Sequence, residues 1–285
     1  MAKVISFINL KGGVGKTTSA IAVSEFLAEE HQKRVLVVDL DPQTNATISL
    51  ISEEQWKIQD EAGQTLRQLF DDKLKKTNVF DVHNAIIRGV SNLHGGIQNL
   101  SLLPSSLGLI EIQDQLALIP GGTFYSVSPV DILGSVLQPV LSNYDFVIID
   151  CPPNLGIITL NGINISTGYL IPTIPDILST YGIPQILNRI EAFAKVNTLS
   201  VQPKGIIVSK YRAQSSLHNT ILAKLRGDAN AGELPPIFDT VISEANKIAE
   251  SVDVDANVNT LRQKYGYGNN YATYSSLATE VIGRC

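Results

Sequence analysis

The sequence predicts an α/β fold, a three-layer sandwich with helices on both faces of a mainly parallel sheet. Short β-branched runs alternate with helical patterns along the chain, which is the signature of βαβ units. Several of these runs are apolar throughout, as strands covered on both faces require. With 285 residues, the chain can bury a large core without staples.

The elements follow in order. VISFIN (4–9) is the first strand and leads into a helix beginning near Lys16. RVLVVDL (34–40) follows that helix, FVIID (146–150) and YLIPTI (169–174) come later, and GIIVSK (205–210) closes the series. The stretch 51–125 breaks this rhythm, being richer in Gln, Asp, Lys and Asn. It reads as a polar elaboration of helices and loops laid over the sheet, with one strand at NLSLLPSS (99–106). No internal repeat and no low-complexity linker divides the chain, so 1–285 is expected to be a single domain.

Composition narrows the classes. Hydrophobic residues at 44% and charged residues at 17% exclude a disordered or collagenous chain. Cys151 and Cys285 are too few and too far apart for a disulfide framework or a zinc ribbon, which fits a reducing, cytoplasmic setting. Residues 1–9 lack the features of a signal peptide, and no run is long and apolar enough to span a bilayer, so no membrane partner is expected. The net charge is −5, but residues 1–185 carry eleven basic and eighteen acidic residues, whereas 186–285 carry eleven basic and nine acidic. A basic surface is therefore permitted on the C-terminal side.

Between the first strand and first helix stands Leu10-Lys11-Gly12-Gly13-Val14-Gly15-Lys16-Thr17-Thr18. Glycines let backbone N–H groups approach phosphate oxygens without intervening Cβ atoms, and the helix N-terminus adds partial positive charge. Lys16 is placed to reach β- and γ-phosphates, and the Thr17 hydroxyl to ligate Mg2+. The general phosphate-loop pattern has glycine where this chain has Leu10, and a second lysine, Lys11, stands inside the loop. Asp39 and Asp41 are two apart at a strand end, so both can face the carboxyl edge of the sheet, where ligands sit in open α/β folds. Asp150 ends an apolar run, a place where a charge is expected only if it is paired or coordinating.

KGGVGKTT, with its lysine at the start of the loop, resembles the deviant Walker A ATPases that include the ParA partition and MinD division-site proteins. VVDLDPQTNAT (37–47) is similar to that family's second motif and YDFVIIDCPPNLG (144–156) to its Walker B strand; FDTVISEANKIAES (238–251) matches more loosely. The resemblance implies a P-loop NTPase fold and slow, Mg2+-dependent ATP hydrolysis. By matching motif, Asp41 would position the hydrolytic water, Asp39 would lie near the metal shell, and Asp150 would contact Mg2+ through water. Lys11 would cross a nucleotide-sandwich homodimer to the phosphates of the other subunit, so that dimerisation depends on ATP. Adenine would lie near Ser209, Lys210 and the segment around 238–246. An iron–sulfur cluster, as in the related nitrogenase iron protein, is not expected, and Cys151 reads as a small buried residue.

In a partition ATPase the ATP dimer would bind DNA nonspecifically through Lys and Arg contacts to phosphates, on the nucleoid, with hydrolysis stimulated by a ParB-like or other adaptor. The candidates are Arg189, Lys210, Arg212 and Lys247, drawn from a wider set that includes Lys195, Lys224, Arg226, Arg262 and Lys264. With the loop starting at residue 11, no helix-turn-helix domain is expected before it. The cargo is expected to be a plasmid or chromosome; the alternative is a protein assembly such as carboxysomes or chemoreceptor clusters. A MinD-like membrane switch needs a basic amphipathic C-terminal helix, and YATYSSLATEVIGRC carries only Glu280 and Arg284 as charges.

Overall fold

The computed structural model describes residues 2–93, 95–117, 128–244 and 258–285. In chain order the elements are β1 (Lys3–Phe7), α1 (Lys16–Glu29), β2 (Val35–Asp39), α2 (Asn45–Leu50), α3 (Glu53–Glu61), α4 (Leu66–Lys75), α5 (Val82–Ala85), β3 (Ile87–Arg88), β4 (Leu100–Leu103) and α6 (Leu109–Ala117). Then follow α7 (Ile132–Leu137), β5 (Phe146–Asp150), α8 (Ile157–Ile165), β6 (Gly168–Thr173), α9 (Ile177–Tyr181), α10 (Ile183–Asn197), β7 (Gln202–Tyr211), α11 (Ser216–Asn230), β8 (Ile237–Ser243), α12 (Leu261–Tyr265) and α13 (Asn269–Arg284).

The strands form one eight-stranded sheet in the order β3-β4-β2-β5-β1-β6-β7-β8. All neighbours pair in parallel except β3 with β4. Alternation along β1 shows how the layers are built: Val4 and Ile8 join the core on one face, Ile5 and Phe7 the core on the other. The first core takes residues from α4, α6, α7, α8 and α10, the second from α1, α12 and α13. This is the expected α/β three-layer architecture. It puts the carboxyl ends of β1, β2 and β5 side by side, with Phe7 and Asp39 both in register with Asp150.

Two expectations need correction. GIIVSK does not close the sheet: residues 237–243, IFDTVIS, whose apolar and polar residues come in pairs and so lack a period of two, add β8 as an edge strand beside β7. The polar elaboration was expected to supply one strand, at 99–106, and supplies two: β4 lies there, and the two-residue β3 pairs with it at the opposite edge. Its α4 is anchored by Leu66, Leu69 and Phe70, all buried, whereas α3 has no buried residue. The last part of the 51–125 stretch lies outside the described residues.

Helix α13 is integral to the fold. Tyr274, Leu277, Ala278 and Val281 are buried, and Tyr274 lies with Phe26 of α1 and Tyr265 in an aromatic cluster with ring centroids 5.1–6.5 Å apart. Among the described residues no helix is long and apolar enough to cross a membrane.

Next to that cluster lies a buried ionic network. Glu25 of α1 accepts from Lys264 Nζ at 2.7 Å, the Tyr265 hydroxyl at 2.7 Å and the Ser91 hydroxyl at 2.5 Å. The Glu25 and Lys264 side chains are 0% and 2% exposed, which removes Lys264 from the candidate DNA contacts. Breaking such a pair leaves a buried charge without its partner. Glu25→Gln is expected to cost about 3–5 kcal/mol of stability, read as a lowered urea midpoint; a midpoint within error of the parent would contradict the network's place in the fold.

Candidate functional site

The phosphate loop runs from β1 into α1, and its shape is set from below and from the side. Asn9 is buried and donates through Nδ2 to the Pro172 carbonyl at 2.8 Å, while its Oδ1 accepts from the Lys11 N–H at 3.0 Å. Gly13 and Gly15 have φ of 75° and 81°, which only glycine adopts without strain. Gly12 and Gly13 are exposed at the rim, and Val14 is buried. Gly15 caps α1, whose first turn carries no acidic residue, so the helix's positive end is left uncompensated toward the loop.

Lys16 is 6% exposed and its Nζ lies 3.4 Å from the Lys11 carbonyl. Burial holds its pKa below the usual lysine value, against the raising effect of the Asp150 and Asp41 carboxylates. Thr17 donates its hydroxyl to Asp150 Oδ2 at 2.6 Å, while Thr18 and Thr17 both line a small cleft of ≈ 180 Å³ with Gly12, Gly13, Lys16, Asp41 and Lys210. The strands' register therefore gathers the three motifs at one place.

Asp150 and Asp39 end adjacent strands and are both fully buried. Burial, and then the neighbouring Asp39, push the Asp150 carboxyl well above the ordinary carboxylate range. Its Oδ1 is buried with no hydrogen-bond partner among the described residues. Asp39 is pushed up to about 7, chiefly by burial. Unlike Asp150, it has both oxygens engaged: Oδ2 accepts from the Thr47 N–H at 2.8 Å and the Thr47 hydroxyl at 2.7 Å, and Oδ1 from the Asp41 N–H at 3.1 Å. Its carboxylate is directed to α2 and to the turn that carries Asp41.

Asp41 is 5% exposed and sits in a ring of hydrogen bonds. Its N–H goes to Asp39, which holds Thr47; the Thr47 hydroxyl oxygen accepts from the Ser105 N–H at 3.0 Å; and the Ser105 hydroxyl returns to the Asp41 carbonyl at 2.8 Å. Trp56 of α3 joins from outside, its indole N–H reaching the Ser105 carbonyl at 3.0 Å. The Asp41 carboxylate accepts the Gln43 N–H at 3.0 Å and lines the cleft.

Lys11 is held differently from the other loop residues. Its ammonium lies 3.1 Å from Asp176 Oδ2 and 2.9 Å from the Ser179 hydroxyl, at the N-terminus of α9, where Asp176 also caps the Ser179 N–H at 2.6 Å. The side chain remains 37% exposed. Asp176 and Ser179 were not singled out in the sequence; Asp-x-x-Ser signals a helix cap, but no local signal places that cap 165 residues away against Lys11. Trp56 and Ser105 escaped for the same reason.

The remaining candidates are scattered. Ser209 is buried under the loop, and Lys210, exposed and left-handed at φ 50°, lines the cleft. Arg212 follows β7 and is bidentate to Glu244, which takes two of its N–H donors. Arg189 is exposed on α10, and Lys247 lies outside the described residues, as does the end of the 238–246 segment. Cys151 is fully buried, and burial pushes its thiol pKa up, as for an inert core residue.

Residues 2–202 match the protein family described as an AAA domain. The chromosome-partitioning ATPase Soj of Treponema pallidum is 27% identical over 290 residues, covering 100% of this chain and 98% of its own. Among solved structures, a Cyanothece McdA variant in complex with ATP superposes with a TM-score of 0.76 at 21% identity, covering 100% of this chain and 97% of that one. Cobyrinic acid a,c-diamide synthase from Mycobacterium smegmatis, with bound ATP analogue and magnesium, gives 0.74 at 23% identity, covering 99% and 95%. The last two share the fold with this chain while carrying different names. A family match over most of the chain, with the lysine-led loop and both aspartate motifs on one sheet edge, means that this chain belongs to the ParA-type family of P-loop NTPases.

Proposed function

We propose that the chain is a ParA-type, Mg2+-dependent ATPase whose ATP-bound form is a homodimer that binds DNA nonspecifically and drives plasmid or chromosome partition in the cytoplasm, on the nucleoid. The observation that carries this reading is the convergence of Lys16, Asp41 and the Thr17–Asp150 pair on one cleft, with Lys11 held apart at α9.

The residues fit a magnesium ion. A buried carboxylate oxygen without a partner among the described residues, beside a threonine hydroxyl, is a hard oxygen donor set in need of a cation, so Thr17 and Asp150 would hold it. When bound, the ion neutralises charge on the β- and γ-phosphate oxygens. Asp39, with its oxygens taken, holds α2 and the Asp41 turn in place of a direct share in the metal site. The loop N–H groups and Lys16 bind the phosphates. Asp41 orients the attacking water, whose oxygen bonds to the γ-phosphorus as the bridging oxygen leaves with ADP.

Lys11 gives the cycle its oligomeric readout. In the single chain its charge is balanced by Asp176, and reaching a second subunit's phosphates requires leaving that partner. Beside it, Ile177, Leu178 and Tyr181 of α9 are 62%, 76% and 74% exposed, an apolar patch suited to contact between subunits. A cation supplied in trans offsets charge on the transferring phosphoryl group. The membrane alternative has little support, because the apolar face of α13 is spent in the core. The cargo and the stimulating adaptor are properties of the partner.

Asp41→Ala is expected to retain ATP binding and the ATP-dependent dimer while turnover falls at least about 100-fold; single-turnover hydrolysis at the parent's rate would reject the role of Asp41. The Lys11→Ala chain should stay folded and monomeric with Mg-ATP in sedimentation, and an ATP dimer there would reject the role in trans. Duplex DNA should co-sediment with the Asp41→Ala dimer at low salt and be released at high salt, whereas a dimer that ignores DNA would point to a protein scaffold.

A further inference from the structure

The hydroxyl of Ser209, at the end of β7, is 2% exposed and lies beneath the phosphate loop. It stands 2.6 Å from the Val14 carbonyl oxygen and 3.2 Å from that of Thr173. A serine has one proton to donate, and the shorter distance gives it to Val14. That proton is then not available to the nucleotide base that the resemblance places near this residue.

The contact controls an atom on the other side of the peptide. A peptide unit is planar and trans, so the N–H of Gly15 points opposite to the carbonyl of Val14. Drawing that carbonyl down onto β7 turns the Gly15 N–H away from the sheet, on the side of the cleft that Gly15 and Lys16 line. The left-handed φ of Gly15 makes this orientation accessible, and its α-carbon is so close that an added Cβ would stand 3.5 Å from both Cβ and Oγ of Ser209. The next residue, Lys210, lines the same cleft.

We infer that Ser209 is a positioning residue of the phosphate loop: its hydroxyl aims the Gly15 N–H at the nucleotide's phosphates and does not read the base. This rests on the ATPase reading above. Its signature is an effect that does not depend on the base.

The test is calorimetric titration of the full chain with Mg-ATP and, separately, with inorganic tripolyphosphate, for the parent, Ser209→Ala and Ser209→Thr. Ser209→Ala should weaken both ligands by the same factor, about five- to tenfold, and Ser209→Thr, which keeps the hydroxyl, should restore both. A loss for ATP with tripolyphosphate unchanged would overturn the inference in favour of base reading, and so would parent-like binding of both by Ser209→Ala. Should Ser209→Ala not fold, Ser209→Cys, with its weaker donor, carries the same comparison. A parent that binds neither ligand would overturn the ATPase reading itself, an outcome visible before any variant is made.

Discussion

Two carboxylates buried next to each other at the end of a parallel sheet are the constraint around which this site is built. The register that pairs Val38 with Ile149 also pairs Asp39 with Asp150, in a place where water cannot solvate either charge. Burial of this kind is tolerated only with compensating donors or cations. Asp39 finds its donors within the chain, in Thr47 and the Asp41 N–H. Among the described residues Asp150 receives a single hydroxyl, from Thr17, and keeps one oxygen unpartnered. The asymmetry divides the labour: one carboxylate is structural glue, and the other is left wanting a ligand.

The glue has a reach beyond its own strand. Through Thr47 and Ser105 it ties the loop after β4 to the turn that carries Asp41, and through Trp56 it ties α3 as well. The polar elaboration thus touches the site by hydrogen bonds that hold the backbone of Asp41 from both its N–H and its carbonyl. On the face of the sheet that α2 and Trp56 share, α1, which starts at the phosphate loop, is fastened in mid-course by the Glu25–Lys264 pair. Loop, turn and helix are each held by groups distant in sequence.

That distance explains what the sequence disclosed and what it withheld. The five principal strands and the lysine-led loop were legible because hydrophobic runs and glycine spacing are local signals: FVIID and β5 coincide, and the first helix starts at Lys16. β8 was missed as a strand because it is an edge whose apolar residues come in pairs, Ile237-Phe238 and Val241-Ile242, with no period of two, and β3 because two residues leave no periodicity. Asp41 and Asp150 could be placed by motif, but the hydrogen bonding of Asp39 depends on Thr47 folding back eight residues later. The holding of Lys11 by Asp176 and of Val14 by Ser209 spans 165 and 195 residues, contacts that a single sequence does not encode in any local pattern.

The chain has one tryptophan, and it is the residue whose indole N–H rests on the Ser105 carbonyl. An indole's emission responds to the hydrogen bonding and polarity around its nitrogen, so the unmodified protein carries an optical label on the backbone loop that braces Asp41. Any rearrangement of that turn as nucleotide enters or phosphate leaves would register in the intrinsic emission of the native chain, without a fluorophore having to be attached.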